Sequence, residues 1–270
     1  MLTYGIREQT VISDELDFHV EEIRCKGFTV LTGVFSADDM ANARQAIDRV
    51  YSAQVAEMGG KDSLGKVKDE DIVRCPLASD DISFQIATNK RIHELIERVL
   101  GGAYVLLMQN GIINRPQREQ YQVRWHRDLN YQHWTSSRTL ALSFLVCVDD
   151  FFKEGGATWV LPGSHLYEKF PSDRFVENHE IVVEASAGSV VVMDCMTFHR
   201  AGANSTQDFT RRAVNHVIGS PFMSQQIDLP NILAEQGKDY SQDPFLSMYL
   251  GYRWNPAASP KAWRERHLVK

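Results

Sequence analysis

A series of short apolar segments between residues 103 and 220, separated by turn signals, most constrains what this chain can fold into. The turn signals include Glu154-Gly155-Gly156, Pro162-Gly163-Ser164 and Ala187-Gly188-Ser189. Short strands divided by such turns are typical of an antiparallel sandwich or barrel. The segments predict strands over residues 104–113, 122–129, 139–148, 158–161, 180–185, 189–194 and 211–218.

Helices are predicted before these strands. Residues 14–26 predict a helix that ends at Gly27, and Ser36 followed by Asp39 is typical of a capping box that starts a second helix. A third helix is predicted over residues 89–100, and a short strand over 28–35. Because helices precede strands along the chain, the order predicts an α+β protein, mainly β, whose N-terminal helices cover one outer face of the sheets.

The 270 residues, 43% of them hydrophobic, are enough for a single domain. We expect a helical part over about 1–102, a β core over about 103–220 and a C-terminal extension over 221–270. Residues 59–81 contain few apolar side chains and predict a loop. Two interpretations of it stay open, a solvated connection and a mobile segment that covers a site.

Composition excludes several classes of function. The net charge is −6 and the chain has no long basic run, so nucleic acid is not an expected partner. Its apolar stretches are far shorter than the roughly 20 residues that span a bilayer. The first residues lack an apolar signal core, which predicts a cytoplasmic protein. The cysteines have no CxxC spacing and are expected to be reduced thiols: Cys25, Cys75, Cys147 and Cys195.

His126 and Asp128 form the motif with the clearest chemistry. Side chains alternate along a strand, so within the predicted strand 122–129 these two share a face and Arg127 points away. With a third ligand from a distant strand they would occupy one face of a metal and leave the opposite positions open. Two histidines and one carboxylate with open positions suit non-haem Fe(II), whereas a structural zinc site is closed by four protein ligands.

Further motifs follow this segment in a fixed order. They are a Gly-Gly turn, Leu161-Pro162-Gly163-Ser164-His165, His199-Arg200-Ala201-Gly202-Ala203-Asn204 and Arg211-Arg212. Over roughly residues 15–220 the combination resembles the phytanoyl-CoA dioxygenase family. The resemblance implies a double-stranded β-helix, also called a jelly roll or cupin-type barrel. It also implies an enzyme that uses Fe(II), with 2-oxoglutarate and O2 as co-substrates.

The resemblance also implies a set of site residues. His126 and Asp128 match the family's proximal metal ligands, and His199 matches the distal one. A basic residue about a dozen positions later binds the far carboxylate of 2-oxoglutarate in the family. Arg211 and Arg212 both stand near that position, and the family pattern favours Arg211. Arginine suits this task because its planar fork pairs bidentately with a carboxylate.

Other positions depart from the pattern or match only part of it. Asn114 matches a position that lies near 2-oxoglutarate in a related ectoine hydroxylase group, and Gln109 is expected to face the same pocket. Ala201 stands where the family often has Ser or Thr, so we expect a hydroxyl on a nearby strand to help Arg211. His165 is of a residue type that binds metals, but the resemblance implies that it has a structural role in its turn.

The predicted activity is hydroxylation of an unactivated C–H bond in a small polar metabolite, with release of succinate and CO2. Polar and aromatic residues near the metal motif are the candidate substrate contacts: Arg124, Tyr131, His133 and Trp134. Two alternatives stay open. One is the same cofactor chemistry leading to desaturation, ring closure or epimerisation, and the other is a non-catalytic cupin-like binding protein. The sequence leaves the oligomeric state open.

Overall fold

Two antiparallel sheets dominate the computed structural model, which describes residues 4–118, 121–129 and 134–268. In chain order the strands are β1 (Phe28–Leu31), β2 (Ile72–Arg74), β3 (Val105–Asn114), β4 (Ala141–Cys147), β5 (Thr158–Val160), β6 (Ile181–Val183), β7 (Val190–Asp194), β8 (His199–Ala201) and β9 (Arg211–Gly219). The larger sheet has the order β1-β7-β4-β9-β3-β2, and the smaller has the order β6-β5-β8.

Helices precede, interrupt and follow these strands. They are α1 (Glu15–Lys26), α2 (Ala37–Glu57), α3 (Lys61–Lys66), α4 (Pro76–Ser79), α5 (Asp81–Ala87), α6 (Lys90–Leu100), α7 (Asp173–His179), α8 (Leu229–Glu235), α9 (Leu246–Tyr249) and α10 (Pro260–Leu268). Single 3-10 turns lie at Tyr121–Val123 and Ser164–Leu166. No helix in the described ranges is both long and apolar enough to cross a membrane.

Each central strand of the larger sheet has two buried faces. On β9, Val214 and Ile218 belong to the core that the sheet shares with the helices. Ala213 on the opposite face belongs to a second core, which it shares with Val160 of β5 and Val183 of β6. The smaller sheet therefore packs against one face of the larger sheet and the helices cover the other. This confirms the predicted α+β order with buttressing helices.

The first helices begin and end where the sequence predicts. The Asp14 side chain accepts a hydrogen bond from the Asp17 N–H at the start of α1. Gly27 ends α1 with φ 85°, a left-handed conformation that glycine adopts without a steric penalty. Ser36 and Asp39 form the predicted reciprocal capping box of α2.

Two predictions of local structure are wrong. Residues 122–129 form a 3-10 turn followed by a single β-bridge at His126, not a strand. Pairing with β8 stops there because the next available backbone donor, the Asp128 N–H, bonds to the Cys195 carbonyl outside that strand. Residues 59–81 are not a plain loop either, since they contain α3, β2 and α4. Their low apolar content reflects an edge strand and short helices with one buried face.

Candidate active site

His126, Asp128 and His199 come together in a cavity between the two sheets. The His126 N–H donates to the His199 carbonyl at 3.0 Å, and the His199 N–H donates back to the His126 carbonyl at 3.1 Å. Directly opposed residues of an antiparallel pair project to the same face, so the two rings lie 4.4 Å apart between centroids. Asp128 Oδ1 lies 3.5 Å from His199 Nε2 and 3.9 Å from His126 Nε2.

Backbone carbonyls hold both imidazole rings in one orientation. His126 Nδ1 lies 2.8 Å from the Arg124 carbonyl, and His199 Nδ1 lies 3.0 Å from the Thr197 carbonyl. A carbonyl only accepts, so each Nδ1 carries the proton and each Nε2 presents its lone pair toward Asp128. This is the arrangement in which histidine binds a metal through Nε2.

The electrostatics of the triad suit a cation. Burial lowers the pKa of His126, and the neighbouring His199 lowers it further. Burial opposes ionisation of Asp128, but interactions with His199 and then His126 hold its pKa well below the usual range. Asp128 Oδ2 is buried and has no hydrogen-bond partner within the part of the chain that the structure describes. An ionised carboxylate with an unused oxygen beside two imidazole nitrogens fits a divalent ion such as Fe(II).

Arg127 points away from this triad, as the alternation of side chains predicts. Its guanidinium donates to the Ser164 carbonyl at 3.0 Å and lies 3.9 Å from the centroid of the Phe198 ring. These contacts fix the segment between the two proximal ligands to the turn at Ser164–Leu166. Burial lowers the pKa of Arg127.

Arg211 lines the same cavity as the triad. It is only 2% exposed, and its Nε has no hydrogen-bond partner in residues 4–118, 121–129 and 134–268. Within the described residues it has no carboxylate at ion-pair distance, and its guanidinium stacks on the Phe151 ring at 4.5 Å. Burial lowers its pKa to about 10. Arg212 faces the opposite side of β9, where its guanidinium pairs with Asp48 and Asp149.

Several residues of the cavity wall were missed from the sequence. The further polar groups of this cavity are Gln122, Ser143, Thr158 and Asn215. Asn215 had a usable signal, since it lies four residues after Arg211 and so on the same face of β9. Thr158 had none in the sequence alone. It lies in the wall because β5 pairs with β8 in the register that sets Thr158 opposite Ala201.

The structure does not bring Gln109 to the cavity, so that prediction is wrong. Its side chain lies on the helical face of β3, where it accepts from the Leu77 N–H at 2.7 Å and donates to the Ser83 carbonyl at 2.8 Å. Asn114 lies beside Arg211 in register but outside the cavity wall. Its amide nitrogen donates to the Gly156 and Gly202 carbonyls, which is an anchoring role.

The predicted substrate residues are dispersed. Arg124 is exposed, with its guanidinium 5.6 Å from the centroid of the Tyr121 ring. Trp134 is half-buried in a separate apolar cluster and does not line the cavity. Tyr131 and His133 lie outside the described residues. His165 is buried away from the triad, with Nε2 3.2 Å from the Arg24 carbonyl.

Two facing antiparallel sheets that hold two histidines and a carboxylate between them define the class of 2-oxoglutarate-dependent non-haem iron oxygenases. The chain belongs to the phytanoyl-CoA dioxygenase family, whose model matches residues 23–213. Enzymes of this family use Fe(II), 2-oxoglutarate and O2, and they act on small-molecule substrates.

Three relatives are similar to this chain over more than 80% of their own length. An uncharacterized protein of Mycobacterium tuberculosis is 27% identical over 227 residues, which cover 82% of this chain and 81% of the relative. The multifunctional dioxygenase prhA of Penicillium brasilianum is 24% identical, over 87% of this chain and 83% of its own. The ectoine dioxygenase of Stutzerimonas stutzeri is 24% identical, over 85% and 86%.

Solved structures share the fold. The epimerase SnoN, crystallised with Fe3+, alpha ketoglutarate and nogalamycin RO, superposes with a TM-score of 0.60 at 20% identity, over 84% of this chain and 91% of its own. HygX from Streptomyces hygroscopicus, crystallised with nickel and 2-oxoglutarate, superposes with a TM-score of 0.59 at 15% identity, over 77% and 88%. The predicted jelly-roll architecture is confirmed.

Proposed function

We propose that this oxygenase hydroxylates an unactivated C–H bond of a small polar metabolite and releases succinate and CO2. His126, Asp128 and His199 would hold the Fe(II). The observation that carries the proposal is a single cavity that joins a three-ligand set to a buried arginine, Arg211, which has no counter-ion among the described residues. An iron that chelates a dicarboxylate needs both features within one enclosed space.

The chain's own residues would supply position and a dry site. When bound, iron and 2-oxoglutarate supply the oxidising chemistry with O2. The carbonyls of Arg124 and Thr197 keep the imidazole Nε2 atoms aimed at the metal position. The side chains of His199 and Asp128 are only 9% and 8% exposed, so little water reaches the ligand side and charge interactions there are stronger.

Arg211 would bind the carboxylate of 2-oxoglutarate that lies far from the metal. Its guanidinium is buried and charged, so an anionic ligand would satisfy a group that the described protein leaves unpaired. Thr158 would supply the neighbouring hydroxyl that Ala201 cannot. Both positions face each other across β5 and β8 in the cavity wall. Asn114 would support this end indirectly, by holding the glycine carbonyls beside it.

The cavity wall favours a polar substrate over a long acyl chain. Ser143 donates to Asn215 Oδ1 at 2.8 Å. The side chains of Gln122 and Asn215 still offer amide groups close to the metal position, and an acyl chain would not bond to them. One relative is named ectoine dioxygenase, after a small polar compound, which agrees with a polar substrate. Turnover with long-chain acyl-CoA alone would contradict this substrate class.

Epimerisation, desaturation or ring closure is the alternative outcome at the same site. The structural similarity to the epimerase SnoN supports this alternative. The metal chemistry would be the same as in hydroxylation, and only the product formed from the substrate would differ. Product analysis under ¹⁸O2 distinguishes the two. A hydroxylated product carries one labelled oxygen, and an epimerised, desaturated or cyclised product carries none.

The test of the proposal is succinate release from the Fe(II)-loaded protein with 2-oxoglutarate, O2 and a panel of small polar metabolites. We expect release that one metabolite class stimulates and that His126→Ala abolishes. Arg211→Ala should raise the 2-oxoglutarate concentration required, while Arg212→Ala, its neighbour on the opposite face, should not. Absence of succinate with every compound would favour a non-catalytic binding protein, and the reverse behaviour of the two arginine variants would reassign the carboxylate contact.

A further inference from the structure

A second cavity opens beside the metal cavity. Gln122 lines both. Asn110 in the second cavity and Ile112 in the first are two residues apart on β3, and so lie on the same face of that strand. The two spaces are therefore neighbours along one sheet surface.

The acidic groups of this second cavity are already neutralised. Two ion pairs account for them, one between Arg74 Nε and Asp69 Oδ2 at 2.9 Å and one between Arg118 and Glu70 at 2.8 Å. A ligand would meet these groups as dipoles rather than as free negative charges. The cavity wall consequently does not repel an anion.

Two cations lie at this cavity, Lys68 in its wall and Arg124 outside the wall beside the lining residue Tyr121. Lys68 and Arg124 both approach the Tyr121 ring, with Nζ 5.1 Å and Cζ 5.6 Å from its centroid. Neither has a carboxylate at ion-pair distance within residues 4–118, 121–129 and 134–268. The Tyr121 ring is 61% exposed, so it holds the two cations at the surface and leaves them open to a ligand.

The backbone at Lys68 supports a dedicated role. Lys68 has φ 57° and Asp71 has φ 63°, which L-residues with side chains rarely adopt. Arg115 holds the buried Asp71 through an ion pair of 2.6 Å, and this contact stabilises the unusual turn. Strain of this kind persists where surrounding contacts fix it, and it is concentrated at ligand sites.

We propose that Lys68, Tyr121 and Arg124 form a substrate subsite that binds a carboxylate or phosphate at the entrance to the metal cavity. The inference rests on the proposed function, since it concerns the end of the substrate that is remote from the reacting C–H bond. It narrows the substrate to a small molecule with an anionic group. The subsite is separate from Arg211, which lies in the wall of the first cavity.

The test uses phenyl phosphate, benzoate and neutral benzamide as probes. Their binding to the Fe(II)-loaded protein is measured anaerobically by calorimetry, with saturating 2-oxoglutarate so that Arg211 is occupied. The variants are Lys68→Gln, Arg124→Gln and the double variant. Lys66→Gln is the matched control, because Lys66 is an exposed lysine at the end of α3 that does not line the cavity.

We expect an anionic probe to bind at least tenfold more tightly than benzamide. Each single variant should weaken that probe about fivefold, the usual effect of one solvent-accessible ion pair. The double variant should remove the preference over benzamide, and Lys66→Gln should not. The order of phenyl phosphate and benzoate distinguishes a phosphate from a carboxylate as the natural group.

Three results would overturn the inference. They are equal binding of benzamide and both anions, an equal loss in Lys66→Gln and Lys68→Gln, and a loss of 2-oxoglutarate affinity as large as the loss for the probe. A loss of 2-oxoglutarate affinity would mean that Lys68 and Arg124 bind 2-oxoglutarate and not the substrate. A wild-type protein that binds no 2-oxoglutarate refutes the proposed function instead, and the probe titration remains interpretable because it reports on the second cavity.

Discussion

Replacement of Arg211 by methionine should stabilise the ligand-free protein. Burial lowers the pKa of this guanidinium from its usual value to about 10, so keeping it charged in the folded state costs about 3 kcal/mol. The stacking contact with Phe151 at 4.5 Å offsets about 1 kcal/mol of that cost. Methionine retains an unbranched apolar chain. The difference favours the variant by about 2 kcal/mol, or a rise in Tm of about 5 °C.

The same substitution should remove the response to 2-oxoglutarate. Losing one partner of a buried charged hydrogen bond costs about 3 kcal/mol, which is a loss of affinity of about 100-fold. A ligand at 100 times its Kd stabilises a protein by about 3 kcal/mol. Wild-type protein with Fe(II) should therefore gain stability when 2-oxoglutarate is added anaerobically, and Arg211→Met should gain little.

Thermal unfolding with and without 2-oxoglutarate measures both effects, and Arg212→Met is the control. Arg212 pairs with Asp48 and Asp149 on the opposite face. Its removal should therefore lower stability by about 1 kcal/mol and leave the response to 2-oxoglutarate intact. A ligand-free Arg211→Met protein that melts several degrees below wild type would refute the reasoning about its unpaired charge. An undiminished response would refute its role in binding.

Three further predictions concern other buried groups. Burial lowers the pKa of His216 from 6.5 to about 3. Between pH 6.5 and pH 3 only the unfolded state gains a proton at this residue. The free energy of unfolding should therefore fall by about 2 kcal/mol as the pH is lowered to 5. Urea unfolding of His216→Leu should show that much less acid sensitivity, and an unchanged pH dependence would contradict it. Thr158→Val should weaken 2-oxoglutarate about fivefold, with iron affinity retained and Thr158→Ser restoring binding; equal affinities in titration would exclude the contact. Gly156→Ala adds a Cβ 2.4 Å from Asn114 Nδ2 and 2.9 Å from the Gly202 carbonyl at φ +83°, so chemical denaturation should show a loss of about 2 kcal/mol, and wild-type stability would contradict it.

Features with local determinants could be predicted from the sequence. The capping residues Asp14 and Ser36 act within one helical turn, so their helices begin where expected. The metal triad could be predicted as a residue set because its motifs have a fixed order along the chain. The geometry of the triad depends on the backbone pairing of His126 with His199, which the sequence pattern does not contain.

Features that depend on strand register could not be predicted. Nearly every residue of β3 is buried on one face or the other, so its composition does not reveal which face meets the metal cavity. This is why Gln109 was assigned to the wrong side. The presence of Thr158 in the wall likewise follows from the pairing of β5 with β8. Strand alternation alone did not distinguish Arg211 from Arg212, and the prediction of Arg211 came from the family pattern.

Anaerobic titration of the protein with Fe(II) and 2-oxoglutarate tests the central claim most directly. We predict one iron per chain and a visible charge-transfer band from the metal-bound 2-oxoglutarate. His126→Ala and His199→Ala should abolish this band, and His165→Ala, which alters a buried histidine outside the triad, should retain it. Stoichiometric iron without the band, or a band that survives loss of His126 or His199, would contradict the assignment of the site.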